Sequence, residues 1–473
     1  MQRLNVTSFE NGILEWAAHG VHAFIVEVNG EKVGYGSNGL GVNALDISRY
    51  DGELDVYIAA VDGGAELNFT INAEHTELSM PGVDCSVRNG VLVWNAVPGA
   101  AGYRIVDLKR GATTQPNTSY DMNFRNLVFG VCALSPCKKI KDGRLRDIRY
   151  LDGDGTEASP YLIRTSFELR AVDYYETLYA EKLRSDINAP RFHYEIQNDI
   201  DYESVATLEG ESNLSTVSAP FYGVLDGKHK ALCGISVDYD GGYWALFDFI
   251  ARGGEVKDIT VKRAEIINRL QQPDRPLDAA VATVADRNYG TISGINVSDA
   301  KYTSAGGAVC GICSHNHGVI RDCTVSGEFA QALVGLKCQA CYEMAGIVTE
   351  NCAGGTVEHC AVLSLRIRGS LAEDEAGLHY GNVRTAGGIV AVNRAGGRMF
   401  DNMFGTVTLT NVAGGGEFGG LCAYNAGLVS VDDPLNLGTL KINGRAVAKN
   451  AGGAGLAVGK NDAVLTERGD RRV

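Results

Sequence analysis

The chain has 473 residues, 59 of them Gly and only 10 Pro, and its 43 Lys+Arg against 57 Asp+Glu leave a formal charge of −14. That length calls for several domains, and the acidic balance argues against nucleic acid or an anionic membrane surface as partner. No apolar run approaches the ~18 residues that cross a bilayer, and the opening MQRLNVTSFENG lacks the apolar core of a secretory signal, so a soluble, unanchored chain is expected.

Residues 1–140 contain a repeat. Asn11-Gly-Ile-Leu-Glu-Trp16 returns as Asn89-Gly-Val-Leu-Val-Trp94, in each case a turn signal followed by an alternating strand that buries one Trp. Second strands follow at Ala23–Gly30 and Gly102–Val106, and later ones at Leu54–Val61 and Leu127–Ala133. Short alternating strands between turns predict two small β-sandwiches. Gly34-Tyr-Gly-Ser-Asn-Gly39 matches a dinucleotide-loop pattern, but no helix follows to receive a pyrophosphate, so it reads as a loop.

The Leu-x-Trp strand, the Ala-Gly-Tyr-Arg-Ile strand after Ala96-Val-Pro-Gly99, and the Val-x-Ala strand resemble fibronectin type III-like modules of bacterial surface and carbohydrate-active proteins. The resemblance implies spacer modules over 1–76 and 77–146.

Composition shifts at Asp152-Gly-Asp-Gly-Thr156. Thr165 with Glu168 forms a capping box, and Leu169, Val172, Leu178, Tyr179 and Leu183 trace one apolar face, predicting a helix near 165–184. Tyr194–Asp201 returns to strand alternation.

Past residue 220 a second repeat begins. Six segments align: Leu232–Val237, Val256–Val261, Ile292–Val297, Ile320–Val325, Val357–Val362 and Phe400–Gly405. Their third column is Gly234, Asp258, Gly294, Asp322, His359 and Asn402, the residue types most tolerant of positive φ, which predicts a bend in every copy. A second motif places Asn at a fixed offset after Gly: Gly311 to Asn316, Gly346 to Asn351, Gly388 to Asn393 and Gly420 to Asn425, with Thr283 to Asn288 a weaker copy. Stacked Asn side chains bond to one another along stacked strands. Fixed local motifs at unequal spacing mean uniform coils with unequal loops on one side. The expected fold is therefore all-β, with a right-handed parallel β-helix (solenoid) over 147–473. An N-terminal capping helix would close it, and two small β-sandwich modules would precede it.

Asp152-Gly-Asp-Gly-Thr, Pro160-Tyr-Leu-Ile163, the helix, Asn198-Asp-Ile-Asp201 and Phe221–Lys228 resemble the entry region of bacterial cell-surface β-helix proteins, and the Gly-x-x-x-x-Asn coils resemble their GLUG-type repeats. The resemblance implies a secreted or surface-displayed protein, often of gut or mucosal bacteria, and in some members adhesion. Immunoglobulin-A metalloproteases carry related repeats, but this sequence has no His-Glu-x-x-His helix.

The 12 cysteines are too unevenly placed for a disulfide scaffold. Cys310-x-x-Cys313 and Cys338-x-x-Cys341 look like four thiolates for zinc, with His315 and His317 nearby. Yet Cys310 and Cys313 share columns with Ala345 and Val348, and Cys323 and Cys360 replace Ile235, Ile259 and Ile295, so inward-facing fillers are the preferred reading and no metal site or cofactor is assigned. Cys323 and Cys360 are expected one above the other, where a disulfide is sterically conceivable and free thiols are simpler. The outward column Lys257, Ser293, Arg321, Glu358 and Asp401 holds no recurring carboxylate pair; Glu373, Asp374 and Glu375 read as a solvated run, and Arg468-Gly-Asp470 as a chance match. Catalytic residues are therefore unassigned. The sequence points to a non-catalytic secreted or surface protein binding glycan or host protein through the loop-bearing side; a polysaccharide lyase or glycoside hydrolase is the alternative.

Overall fold

The computed structural model describes residues 4–10, 13–18, 23–33, 35–36, 42–47, 50, 52–61, 65–73, 80–88, 91–107, 111–121, 128–134, 146–202, 217–239, 243–269, 280–304, 307–331, 343–369, 372–373, 379–380, 383–412, 416–431, 437–447 and 454–467. The chain divides into two units, 1–151 with 181–187, and 152–180 with 188–473.

In the first unit, strands Leu4–Glu10, Ile13–Ala18 and Val42–Asp46 form one antiparallel sheet, and Ala23–Val28, Gly52–Ala60 and Glu66–Ala73 anchor a second. Their alternating apolar residues meet in one core around fully buried Trp16, which Phe24 contacts edge-on at 5.6 Å. The second copy repeats this: Val91–Trp94 lies between Cys85–Arg88 and Ser119–Asp121, and Gly102–Asp107 lies between Gly111–Gln115 and Val128–Leu134. Trp94 meets Tyr103 at 5.3 Å, and the Tyr103 hydroxyl accepts the Val97 N–H. Ile13, Ala44 and Val106 share a small cluster joining the two copies. The Asn-Gly turns at 11–12 and 89–90, and all of Gly34–Gly39 except the strand Tyr35–Gly36, lie outside the described residues.

The second unit is mostly parallel sheet. Helix Ser166–Ser185 starts as expected: the Glu168 N–H donates to Thr165 Oγ1 at 3.1 Å and the Thr165 N–H to Glu168 Oε2 at 3.1 Å. Leu178 departs from the expected apolar face and is exposed, whereas Leu169, Val172, Tyr174, Tyr175 and Tyr179 are buried. Two carboxylates on this helix accept backbone N–H groups of the following chain: Asp173 those of Ser218 and Ala219, Glu176 that of Tyr222 at 2.7 Å together with the Tyr194 hydroxyl at 2.8 Å. Donors that would otherwise sit unpaired are thereby satisfied.

Burial raises the Glu176 carboxyl to about 7, against the lowering effect of its hydrogen bonds to Tyr222 and Tyr194. A carboxyl whose folded value lies above its unfolded one binds more protons when folded. Its contribution is thus fully present below about 4.5 and is lost as pH rises through about 7, a decline of about 3 kcal/mol. Glu176→Gln keeps an acceptor and removes the titration. Urea unfolding from pH 4 to 8 is expected to show a decline that is smaller by about this amount in the variant than in the parent, the remainder coming from other raised carboxyls such as Glu343; equal slopes would contradict the assignment.

From Val224 onward the chain visits three parallel sheets in rotation. Face 1 is a long sheet of 19 strands starting at Tyr161–Ile163. Face 2 has seven strands: Tyr243–Trp244, Ala280–Val281, Ala308–Cys310, Glu343–Ala345, Thr385–Gly387, Glu417–Gly419 and Ala454–Gly455. Face 3 also has seven: Phe247–Ile250, Ala285–Asn288, Cys313–Asn316, Val348–Asn351, Val390–Asn393, Cys422–Asn425 and Val458–Asn461. Each strand pairs with the equivalent strand one circuit later, in register: Val256 with Ile292, Ile292 with Ile320, Ile320 with Val357, Val357 with Met399.

Positive φ is found at each of the first five expected bends, 68° at Gly234, 56° at Asp258, 63° at Gly294, 55° at Asp322 and 51° at His359. The first copy is corrected by register: Leu232 pairs with Val261 and Val237 with Ile266, so Gly234 belongs to a separate bend column with Arg263 and Asp299. The sixth copy is corrected by one residue. Asp401, φ 52°, takes the bend, and Asn402 falls in the buried column of Ile295, Cys323 and Cys360. There its amide accepts the Cys360 N–H and donates to the Val357 carbonyl, so a polar side chain is tolerated where its neighbours are apolar.

The asparagines form a row. Amide-to-amide bonds run Asn288 to Asn316 (2.8 Å), Asn316 to Asn351 (2.9 Å), Asn351 to Asn393 (2.8 Å), Asn393 to Asn425 (2.7 Å) and Asn425 to Asn461 (2.7 Å). The first five of these residues are fully buried. Asn461, in Val458-Gly-Lys-Asn461, extends the row beyond the sequence repeat because its motif has lost the leading Gly.

Candidate functional site

Six of the seven described circuits turn from face 2 to face 3 through a two-residue corner, Gly-Ile or Gly-Leu in four of them, and the second circuit through three residues, 282–284. Backbone stacks tightly there: the Gly311 N–H donates to the Gly346 carbonyl, and the Gly346 N–H to that of Gly388, both at 2.9 Å. A Cβ on Gly346 would lie 2.2 Å from the Gly388 oxygen, so only Gly fits. Outward side chains on either side of the corner come within reach of one another, as the Tyr243 hydroxyl and Asp248 Oδ2 do at 3.3 Å in the first circuit.

The charged groups gather on the second to fifth circuits of faces 2 and 3. Arg394 grips Glu350 with two bonds, Nε to Oε1 at 3.0 Å and Nη2 to Oε2 at 3.1 Å. The Cys352 thiol lies 3.6 Å from Glu350 Oε1. One circuit earlier His315 Nδ1 faces Asp286 Oδ1 at 3.8 Å, an ion-pair distance beyond hydrogen-bond reach, and Arg287 Nε lies 3.5 Å from Asp286 Oδ2. Beside them Phe249, Tyr289 and His317 stack, Tyr289 on Phe249 at 5.1 Å and His317 on Tyr289 at 4.4 Å with rings 3° from parallel.

These surroundings separate the protonation states. Burial, aided by the neighbouring Glu350 charge, raises Glu343 to about 7. Burial also pushes Glu350 upward, but the hydrogen bond and charge of Arg394 outweigh it and the net shift is downward. Asp286 raises His315, against the lowering effect of burial, while burial and the adjacent His315 lower His317. Near neutral pH the face thus offers a carboxyl able to donate a proton, an ionised carboxylate held by Arg394, and an imidazole biased toward its cation.

This grouping was not read from the sequence, where no carboxylate pair was assigned. A signal was present in the residues just before the ladder asparagines: Arg287, His315, Glu350, Val392, Tyr424 and Lys460, a chemically varied column inside an otherwise uniform motif. His315 and His317, noted in the sequence beside the cysteine pairs, take part instead in the contacts above.

Cys310 and Cys313 are fully buried; Cys310 pairs with Ala345, and Cys313 with Val348, as the filler reading requires. Cys338 and Cys341 lie outside the described residues, as do Asp374, Glu375 and Arg468–Asp470. Among the described residues no group of three or more His, Cys, Asp or Glu is placed to hold a metal ion. The outward column on face 1 reads Lys257, Ser293, Arg321, Glu358 and then Phe400, with Asp401 on the bend beside it. Glu373 sits in the short strand Ala372–Glu373, paired with His379–Tyr380. No helix among the described residues is long and apolar enough to cross a membrane.

Comparison with known proteins adds no identity: no protein-family model matches the chain, and no curated protein matches its sequence.

Proposed function

We propose that the second unit winds as a right-handed parallel β-helix with GLUG-type coils, carried behind two fibronectin type III-like spacers, and that the chain is a secreted or surface-displayed protein binding glycan through its loop-bearing side. The observation that carries this reading is topological. The stretches 269–279, 305–307, 332–342, 369–384 and 411–416, unequal in length, each join a face 1 strand to a face 2 strand. They therefore end at face 2, which carries Glu343 and is followed in each circuit by face 3 with His315, Glu350, Arg394 and the Phe249–Tyr289–His317 group. Charged groups flanked by aromatic rings suit a hydroxyl-rich polymer lying along stacked strands. A host surface protein is the other ligand class this face suits.

The test is a glycan array and capture from mucus with the parent and with a His315→Ala/Arg394→Ala double variant, both side chains being partly exposed. The variant is expected to bind at least about tenfold more weakly, about 1.4 kcal/mol, with its unfolding midpoint preserved. Undiminished binding would remove this face from recognition.

A second reading, a carbohydrate-active hydrolase, is favoured by one observation: Glu343 and Glu350 sit in one circuit with opposed protonation. Reducing-end and unsaturated-product assays over a polysaccharide panel decide between the two. Release of product by the parent and its loss in Glu343→Gln would replace the binding reading; baseline signal throughout would leave it standing.

A further inference from the structure

Cys323 and Cys360 occupy facing positions on successive circuits of face 1. Arg321 pairs with Glu358 before them and Thr324 with Ala361 after them, so the two cysteines are held in register from both sides. Both are fully buried. Each thiol turns the same way, Cys323 Sγ 3.1 Å from the Arg321 carbonyl and Cys360 Sγ 3.3 Å from that of Glu358, and the two side chains interact directly. The same column holds Ile259 and Ile295 in the earlier circuits, so thiols are not required to fill it.

We infer that Cys323 and Cys360 are a site of oxidative modification, a disulfide that staples one circuit to the next. Neighbouring strands lie ~4.8 Å apart, inside the roughly 4.4–6.8 Å Cα separation that a disulfide spans. The oxidant is a small-molecule disulfide such as oxidised glutathione. The thiolate of one cysteine attacks it, forming a mixed disulfide and releasing one glutathione thiolate. The thiolate of the second cysteine then attacks the protein sulfur of that mixed disulfide, closing the Cys323–Cys360 bond and releasing the second glutathione. Two electrons pass to the reagent, and the two cysteine protons end on the released thiols. Burial raises the Cys360 thiol well above its ordinary range, so the exchange belongs to folding, before the circuits close over the pair.

The test is refolding of the full chain from urea with excess oxidised glutathione, then alkylation, proteolysis and mass spectrometry. A Cys323–Cys360 linked peptide is expected as the main crosslink among 310, 313, 323, 352, 360 and 422. The midpoint should rise by about 5 °C or more over the reduced sample. Cys323→Ile, which installs the residue found elsewhere in the column, should fold and show no oxidant-dependent shift. Recovery of both cysteines as alkylated thiols, or scrambled pairing at equal frequency, would overturn the inference.

Discussion

Asn351→Ala is expected to destabilise the second unit by about 4 kcal/mol, the largest effect of any polar substitution in it. The Asn351 amide donates to Asn393 Oδ1 and to the Arg398 carbonyl, and its oxygen receives Asn316 Nδ2. Truncation strands a buried donor above and a buried acceptor below, each costing about 1–3 kcal/mol, with a small cavity between them. Asn461 ends the row and is exposed, so Asn461→Ala should cost less than about 1 kcal/mol. Urea midpoints at unchanged m-value measure both. Equal losses would mean that the row is not a continuous buried ladder.

Gly346→Ala should cost about 3 kcal/mol or more for a different reason. The added Cβ would meet backbone, the Gly388 oxygen at 2.2 Å, as well as a Val362 methyl at 2.3 Å. Backbone cannot swing aside as a side chain can, so the corner must open and the Gly346–Gly388 hydrogen bond must lengthen. Gly82 supplies the control, since a Cβ there meets nothing within 4 Å. Gly82→Ala is expected within about 0.5 kcal/mol of the parent. A tolerated Gly346→Ala would remove close stacking as the reason for the repeated glycine.

These two columns also show what the sequence made legible. Asn and Gly recur because a buried amide row and a backbone contact admit almost no substitute, so the constraint prints the same letter in each circuit. The bend positions were readable for the same reason, since positive φ narrows the choice to Gly, Asp, Asn and His. The misplacements, Asn402 for Asp401 and Gly234 in the column of Asp258, arise because all these types suit a bend and only strand register separates them. Leu178 departs from the expected stripe because the buried face of the helix is set by Tyr174, Tyr175 and Tyr179, which leaves Leu178 outside it.

The candidate site was not legible for the opposite reason. Glu343, Glu350, Arg394, His315 and Asp286 come from different circuits and two faces, and no short spacing links them. Their proximity depends on the fold of the corner and on the strand-to-strand step, both three-dimensional quantities. The separation of Glu343 from Glu350 in protonation also requires burial, which residue type alone does not disclose.

The most direct measurement places spin labels, attached through an unnatural amino acid that spares the native cysteines, along one outward column of face 1. Asp226, Lys257, Ser293, Arg321, Glu358, Phe400 and Ser430 are successive register partners. Backbone separations should grow by ~4.8 Å per circuit, reaching about 19 Å from Lys257 to Phe400, about 24 Å from Lys257 to Ser430 and about 29 Å from Asp226 to Ser430. Electron–electron dipolar distances that rise in this even staircase are the predicted result. Distances that do not order by circuit number would contradict stacked, in-register circuits.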